Sequence, residues 1–507
     1  MKLSFRTLAL ALVGPVAVGA CAQDVSLGDP ATVDRLIQEG KYHSHVMAYL
    51  TDLTQNIGPR LTGSPELDKA EKWGLDNFKR MGCTNVHLEK WGEIPVGFDR
   101  GPVQVARMVE PFESDMVFTT AAWTNGTHGI ERGKVFAAPL TVEEVTASPA
   151  KYKGAWLLSA PPTGGPGGPG GPRRAGPGGA GGGQGAGRPA GVARPAGPPP
   201  PPPPDPVAEA LEKAGALGFI AGSRTELTVT GGTSNNKTFE SHPGLPHITV
   251  RKSDYDRLKR NLDFGRNPVV EIGADNRWYK GPRPVYDVVA EIKGTEKPDE
   301  VVIVSGHLDS WNGPGSQGAL DNGVGTCTAM EAARILTKVH AKPKRTIRFI
   351  LWTGEEQGLF GSRWYVTEHK AELPKISAVL VDDGGTNYQG GYQGLETQRA
   401  IFEAAFAPVV KAFPDMPEKF VVSPRMPRGG GSDHAPFNAA GVPGFFTIET
   451  GRSDYNFVHH TQHDRLEMAI PEYLVQSGTN HAVVAYQLAC APSLLPREPQ
   501  EATSAGQ

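Results

Sequence analysis

Acids and histidines recur in this chain directly after runs of β-branched residues, the pattern of a site assembled at strand ends. His307 and Asp309 follow "EVVIVSG", Asp321 precedes a long helical stretch, Glu355 and Glu356 follow "RTIRFILWTG", and Asp382 and Asp383 follow "KISAVLV". A late segment, "FVHHTQHD", adds His459, His460 and His463. Imidazole and carboxylate donors mixed in this way suit zinc, and the chemistry also admits other divalent metals. In His307-x-Asp309 the carboxylate can fix the imidazole tautomer while the other ring nitrogen binds a metal. Taken singly, each group has a plainer reading. Asp321 reads as a helix N-cap, Glu355 and Glu356 as complements to a helix dipole, and the tandem histidines as loop hydrogen-bonding groups. Three successive strands ending in oxygen or imidazole donors favour the joint reading.

The elements that must position these groups are legible in the periodicity. β-branched runs at Val301–Ser305, Thr346–Thr353 and Ala378–Val381 alternate with helical stretches from Asn322 to His340 and from Gly358 to Glu372. Apolar strands alternating with helices predict the α/β class, with a mixed, largely parallel central sheet covered by helices on both faces. In such sheets function gathers at the carboxyl ends of the strands. Upstream, a helical pattern from about residue 42 breaks at "NIGPRLTGSPE" and resumes to residue 84, with Ser64 before Pro65 and Glu66 as the helix start. "KGAWLLSAP" reads as a buried strand, and "DPVAEALEKAGALGFIAGS" as a helix, a glycine stop and a further strand. Residues 98–275 therefore predict an inserted β-rich domain. Between its halves, Pro161 to Pro206 hold 16 Gly and 16 Pro, too little apolar surface to offset the entropy of ordering, so a disordered surface loop is expected.

Composition excludes several classes. The 507 residues carry 51 Lys+Arg against 54 Asp+Glu, a net charge of −3, which argues against holding nucleic acid by bulk electrostatics. Four cysteines exclude a disulfide scaffold. Residues 1–22 show Lys2 and Arg6, an apolar run from Leu8 to Ala20 and small residues around Cys21, the order of an export signal. Cleavage before Cys21 would leave a lipid-anchored protein, and cleavage after Ala22 a free one. Both readings export the chain, as a periplasmic, outer-membrane-anchored or secreted protein. No other apolar run reaches the roughly 18 residues of a membrane span. Cys83, Cys327 and Cys490 then leave at least one free thiol.

The core "GHLDSW…GALDNGVG…AMEAARIL…KRTIRFILWTGEEQGLFGS" resembles the M28 family of co-catalytic zinc exopeptidases, in its carboxypeptidase Q-like branch. "GPRLTGSPELDKAEKW", "GGSDHAPFNAAGVPGF" and "HHTQHD" resemble family segments in the same order. The resemblance implies two zinc ions per chain, one held by His307 and Asp383, the other by Glu356 and His460, with Asp321 bridging. Glu355 would be the general base and Asp309 the orienter of His307. Asp382 and His459 stand as the alternatives to Asp383 and His460, His463 falls outside the metal ligands, and Asp433 and His434 shape either the pocket or only their loop. The implied layout is a signal at 1–22, peptidase segments at 23–97 and 276–495, a protease-associated-like insert at 98–275, and a disordered tail at 496–507. The implied activity is hydrolysis of dipeptides or short peptides as a carboxypeptidase Q-like dipeptidase, with an aminopeptidase of the same family as the alternative. A non-catalytic receptor-like module and a single-zinc glutaminyl cyclase are less consistent with a full ligand set plus Glu355. A homodimer is compatible with the resemblance.

Overall fold

A computed structural model describes residues 27–160, 205–234, 238–240, 244–427 and 431–498. The expected export signal, most of the Gly/Pro-rich stretch and most of the expected C-terminal tail lie outside the described residues. Every residue from Val301 to Val304 is buried, yet the four divide between two faces. Val302 and Val304 join one apolar cluster with Phe349, Leu351, Ala378 and Leu380. Val301 and Ile303 join another with Ile350, Trp352, Val379 and Val381. Alternate residues of a strand point to opposite faces, so an uninterrupted apolar run signals a sheet covered on both sides. On the first face lie helices Val324–Lys338 and Pro471–Cys490, supplying Ala332, Ile335, Val483 and Leu488. The second face is closed by Tyr365 and Phe437 from helices Phe360–Glu368 and His434–Ala439. Full burial of side chains of this size contributes about 1.5–3 kcal/mol each.

The centre of the sheet is parallel. Strand Lys297–His307 pairs in parallel with Arg345–Trp352 on one side and Ile376–Val381 on the other, and the latter pairs in parallel with Gly444–Thr450. His307 stands opposite Trp352, Ser305 opposite Val381, and Val381 opposite Phe446. Four carboxyl ends therefore reach the same edge of the sheet. Antiparallel neighbours flank this centre: Tyr388–Gly394 beside Gly444–Thr450, and Val269–Ile292 beside Arg345–Trp352. The sheet is mixed and largely parallel at its heart, as the alternating pattern predicts.

Two long strands, Thr84–Glu110 and Val269–Ile292, run antiparallel from Thr84 opposite Glu291 to Glu110 opposite Val269. Between them, strands Glu131–Ala137, Ala155–Leu158, Gly218–Gly222 and His247–Val250 pair in parallel, with helices Pro206–Ala214 and Lys252–Asp263. This region has its own apolar cluster, including Val135, Trp156, Ile220, Ile248 and Leu258. Strands Ala155–Leu158 and Gly218–Gly222 are neighbours, so the described residues on either side of the Gly/Pro-rich stretch belong to one strand–helix–strand unit. Helix Pro65–Met81 starts where the sequence predicts, with the Ser64 hydroxyl accepting from Leu67 N at 3.1 Å. Among the described residues, Cys83, Cys327 and Cys490 are unpaired, and no helix is long and apolar enough to cross a membrane.

Candidate metal centre

The edge shared by the parallel strands brings together every strand-end donor read from the sequence except Asp382. His307, the last residue of its strand, places Nε2 3.1 Å from Asp383 Oδ1, 3.4 Å from Asp321 Oδ1 and 4.0 Å from Glu355 Oε2. His460 places Nε2 3.2 Å from Asp321 Oδ2 and 2.9 Å from Glu356 Oε2. Asp321 thus presents one carboxylate oxygen to each histidine.

The plainer reading of Asp321 does not describe its geometry. The following helix begins at Val324 with Gly323 as its N-cap, and Asp321 sits outside it at φ −121°, ψ 91°. Its backbone is held instead by Asp464, whose Oδ1 accepts from Leu320 N at 2.6 Å and Asp321 N at 3.4 Å. Asp464 is visible in "HHTQHD", but its partners lie more than 140 residues upstream, so periodicity gives no sign of this role.

Adjacent residues with equal claims in sequence take different surroundings. Asp383 faces His307, whereas Asp382 Oδ2 accepts from Thr328 Oγ1 at 2.8 Å and Gln389 Nε2 at 2.9 Å. His460 reaches both Asp321 and Glu356, whereas His459 stacks on the His460 ring and comes no nearer to Asp321 than 3.8 Å. His463 stacks on Phe457 with ring centroids 4.2 Å apart. Asp433 and His434 are buried beside the centre, with the Asp433 carboxylate accepting from Ser362 Oγ.

Asp309 differs in detail from the expectation. The nearer acceptor for His307 Nδ1 is the Asp309 carbonyl at 2.9 Å, while its carboxylate Oδ1 stands at 3.6 Å. The carboxylate accepts instead from Thr62 Oγ1 at 2.7 Å and, at 3.3 Å, from the backbone N–H groups of Glu355 and Glu356. Asp309 therefore ties the His307 ring to the turn carrying both glutamates. Thr62, which completes this tie, carries no signal in the sequence beyond its place in "GPRLTGSPE".

Burial dominates the electrostatics. It raises the Glu355 carboxyl well above the ordinary range and Glu356 to about 7, with the neighbouring carboxylates adding to the effect. Burial also raises Asp383 and brings Asp464 to about 7. Asp321 goes the other way: burial opposes its charge, but hydrogen bonds from His307 and His460 hold it well below the carboxylate range. The same burial would lower His307, yet Asp383 and Glu355 outweigh it and raise the imidazole well above its usual value.

The donor set fits a cation. His307, Asp321 and Asp383 form one group, and Asp321, His459 and His460 another, each offering donor atoms within 4.8 Å of one another. Asp321 Oδ2 and Glu356 Oε1 are buried without a well-formed hydrogen bond. Buried carboxylate oxygens left this way are costly unless a cation or donor meets them.

Comparison with known proteins agrees with this chemistry. Residues 287–485, which contain all five proposed ligands, match the family model for peptidase family M28. Mouse carboxypeptidase Q is 30% identical over 466 residues, covering 90% of this chain and 88% of the mouse protein. The chain belongs to peptidase family M28. The human carboxypeptidase Q is 27% identical, over 93% of this chain and 91% of its own. The M28 fold recurs in a solved peptidase M28 precursor from Shewanella amazonensis, with a TM-score of 0.61, 24% identity, and 93% and 99% of the two chains covered. A Bacillus subtilis zinc aminopeptidase shares the fold at a TM-score of 0.51 and 21% identity, over 87% and 94% of the chains. This M28 protein is thus a hydrolase, a metallopeptidase with peptide substrates.

Proposed function

We propose that this M28 peptidase is a two-zinc exopeptidase cleaving dipeptides or short peptides in the manner of carboxypeptidase Q. The observation that carries this reading is Asp321, whose two oxygens stand 3.4 Å from one histidine and 3.2 Å from the other. In this reading His307 and Asp383 hold one zinc, Glu356 and His460 the other, and Asp321 both. Asp383 is preferred to Asp382 because the latter's carboxylate is occupied by Thr328 and Gln389. His460 is preferred to His459 because its Nε2 lies 2.9 Å from Glu356.

When bound, two zinc ions supply Lewis acidity that polarises the scissile carbonyl and acidifies the attacking water. Glu355, buried against His307 but outside the proposed ligand set, takes the proton from that water and delivers it to the leaving amine. Burial raises its proton affinity, which suits a group that must hold the proton between the two transfers. Asp309 fixes the positions of Glu355 and Glu356 through their backbone N–H groups. The same proposal includes export through residues 1–22, as a lipid-anchored or a free protein, and the reading of residues 98–275 as a protease-associated-like insert.

The test compares a free dipeptide with its N-acetylated and C-amidated forms, with and without a chelator. Cleavage lost on C-amidation alone supports a carboxypeptidase, and loss on either block supports a dipeptidase. Cleavage lost only on N-acetylation would replace this reading with an aminopeptidase. Absence of chelator-sensitive cleavage would overturn it.

A further inference from the structure

The loop carrying His460 is gripped by a segment more than 200 residues upstream in the sequence. After strand Gly218–Gly222, residues 226–234 run without helix or strand apart from a single bridge between Gly232 and Ala122. Thr230 N donates to the His460 carbonyl at 2.9 Å. Two residues further along the histidine loop, Gln462 Oε1 accepts from Thr228 N at 2.8 Å and from Thr228 Oγ1 at 3.0 Å, while its Nε2 donates to the Glu226 carbonyl at 3.0 Å. Both ends of that amide are engaged, which fixes its orientation. Thr228 and Thr230 are only 1% and 3% exposed.

The same segment is wedged against the loop that follows His307. Thr230 Oγ1 meets Thr119 Oγ1 at 2.8 Å, and a Cβ built on Gly313 would lie 1.9 Å from Thr230 Oγ1. A glycine at 313 is therefore what lets the segment seat between the two loops that carry the proposed ligands. His460 itself has φ +60°, a left-handed conformation that side chains other than glycine seldom adopt. Such backbone persists where its surroundings over-determine it. Here the surroundings include the Thr230 bond to its carbonyl and the Gln462 clasp two residues on.

We propose that Thr228, Thr230 and Gln462 are positioning residues, through which segment 226–232 holds His460 at the metal centre and sets zinc affinity on the Glu356–His460 side alone. The proposal rests on the reading of His460 as a ligand. It couples the inserted region to the metal centre without placing any insert residue on the metal.

The test uses the full-length mature protein, with zinc as the probe and a chromogenic chelator as competitor, so that the zinc equivalents are resolved. His460→Ala serves as the reference and loses one tightly bound equivalent. Gln462→Ala weakens that same equivalent by about 10-fold or more, the usual consequence of removing a group that orients a ligand. Gly313→Ala, which displaces Thr230 without touching the histidine loop, gives the same selective weakening. Gln462→Glu keeps the acceptor for Thr228 and binds zinc more tightly than Gln462→Ala does. If His460→Ala loses one equivalent while Gln462→Ala and Gly313→Ala bind both with wild-type affinity, the segment is only a docking contact and the proposal is overturned. Equal weakening of both equivalents overturns it as well, because it signifies general loosening. If His460→Ala retains both ions, the ligand reading fails and the proposal falls with it.

Discussion

Two buried polar clusters lie back to back at the carboxyl edge of the sheet, and they are built on opposite terms. Behind the edge, Asp382 accepts from Thr328 and Gln389, its carbonyl accepts from Asn322 Nδ2 at 2.7 Å, and Gln389 continues the chain to His481 and Asn480. In front of it, Asp321, Glu355, Glu356 and Asp383 crowd around two histidines, with Glu356 Oε1 unbonded and Asp321 Oδ2 without a well-formed hydrogen bond. The first cluster sets one carboxylate among several donors and leaves Asn480 Oδ1 unbonded, whereas the second is acidic beyond its internal countercharge. The first cluster is the more deeply buried, with Glu355, Glu356 and His460 of the second only partly buried, so burial alone does not mark a functional site. What marks it is the balance of donors and acceptors, because an unbalanced buried cluster opposes folding unless a ligand completes it.

The sharpest way to break this comparison is to remove the carboxylate both histidines share. Asp321→Ala is expected to lose zinc from both positions and all measurable turnover, as read by metal content after dialysis and by dipeptide cleavage. Two ions retained would end the bridging assignment. Glu355→Gln is the companion variant. It should keep both ions while turnover falls by roughly 10²–10⁴-fold, the range for a lost general base. Near-normal turnover in that variant would transfer the proton role to another group.

Neighbouring aspartates sharpen the comparison further. Asp383→Asn should weaken zinc binding yet leave the metal-free protein as stable as the parent or more so, because it relieves repulsion among buried acids. Asp382→Asn should do the reverse: zinc stays bound, and stability falls by about 1–3 kcal/mol as a hydrogen-bonded acceptor becomes a donor facing donors. Denaturant melts of the metal-free variants decide the point. If both aspartates affected zinc alike, the two clusters would be one. Zinc should also raise the melting temperature of the wild type, with about 2.7 kcal/mol gained at a free concentration 100 times the dissociation constant. The melting temperature of Asp321→Ala should not respond.

Much of this was open to reading in the sequence, for identifiable reasons. The buried runs before His307, Glu355 and Asp383 mark central strands, and donors after such runs fall at one edge because parallel strands share a direction. The choice within Asp382–Asp383 and His459–His460 is not local. It depends on Thr328 and Gln389 in one case and on Glu356 in the other, and period and composition carry no information about those contacts. The expectation that the Asp309 carboxylate orients His307 met a similar limit, since the main-chain carbonyl is the closer partner and the side chain turns to Thr62. The pairing of Thr84–Glu110 with Val269–Ile292 joins strands over 150 residues apart, beyond the reach of any window read along the chain.

Another buried acid, outside both clusters, tests the balance argument by pH. Glu71 lies in helix Pro65–Met81, 3% exposed, and accepts one bond, from Tyr286 N at 3.1 Å. Burial, only partly offset by that bond, pushes its pKa up to about 8 from an ordinary 4.5. Because the folded value exceeds the unfolded one, the native state binds the proton more tightly. Its contribution to stability is full below about pH 4.5 and is lost as pH rises towards 8. Glu71→Gln keeps an acceptor for Tyr286 and removes the charge. It should leave the melting temperature nearly unchanged at pH 4.5 and raise it by a few degrees at pH 8, with zinc affinity unaltered. A melting-temperature difference independent of pH would mean that Glu71 is neutralised by a partner in the fold. Buried carboxyls here would then divide by partner rather than by place, and the acidic excess at the metal centre would lose its contrast.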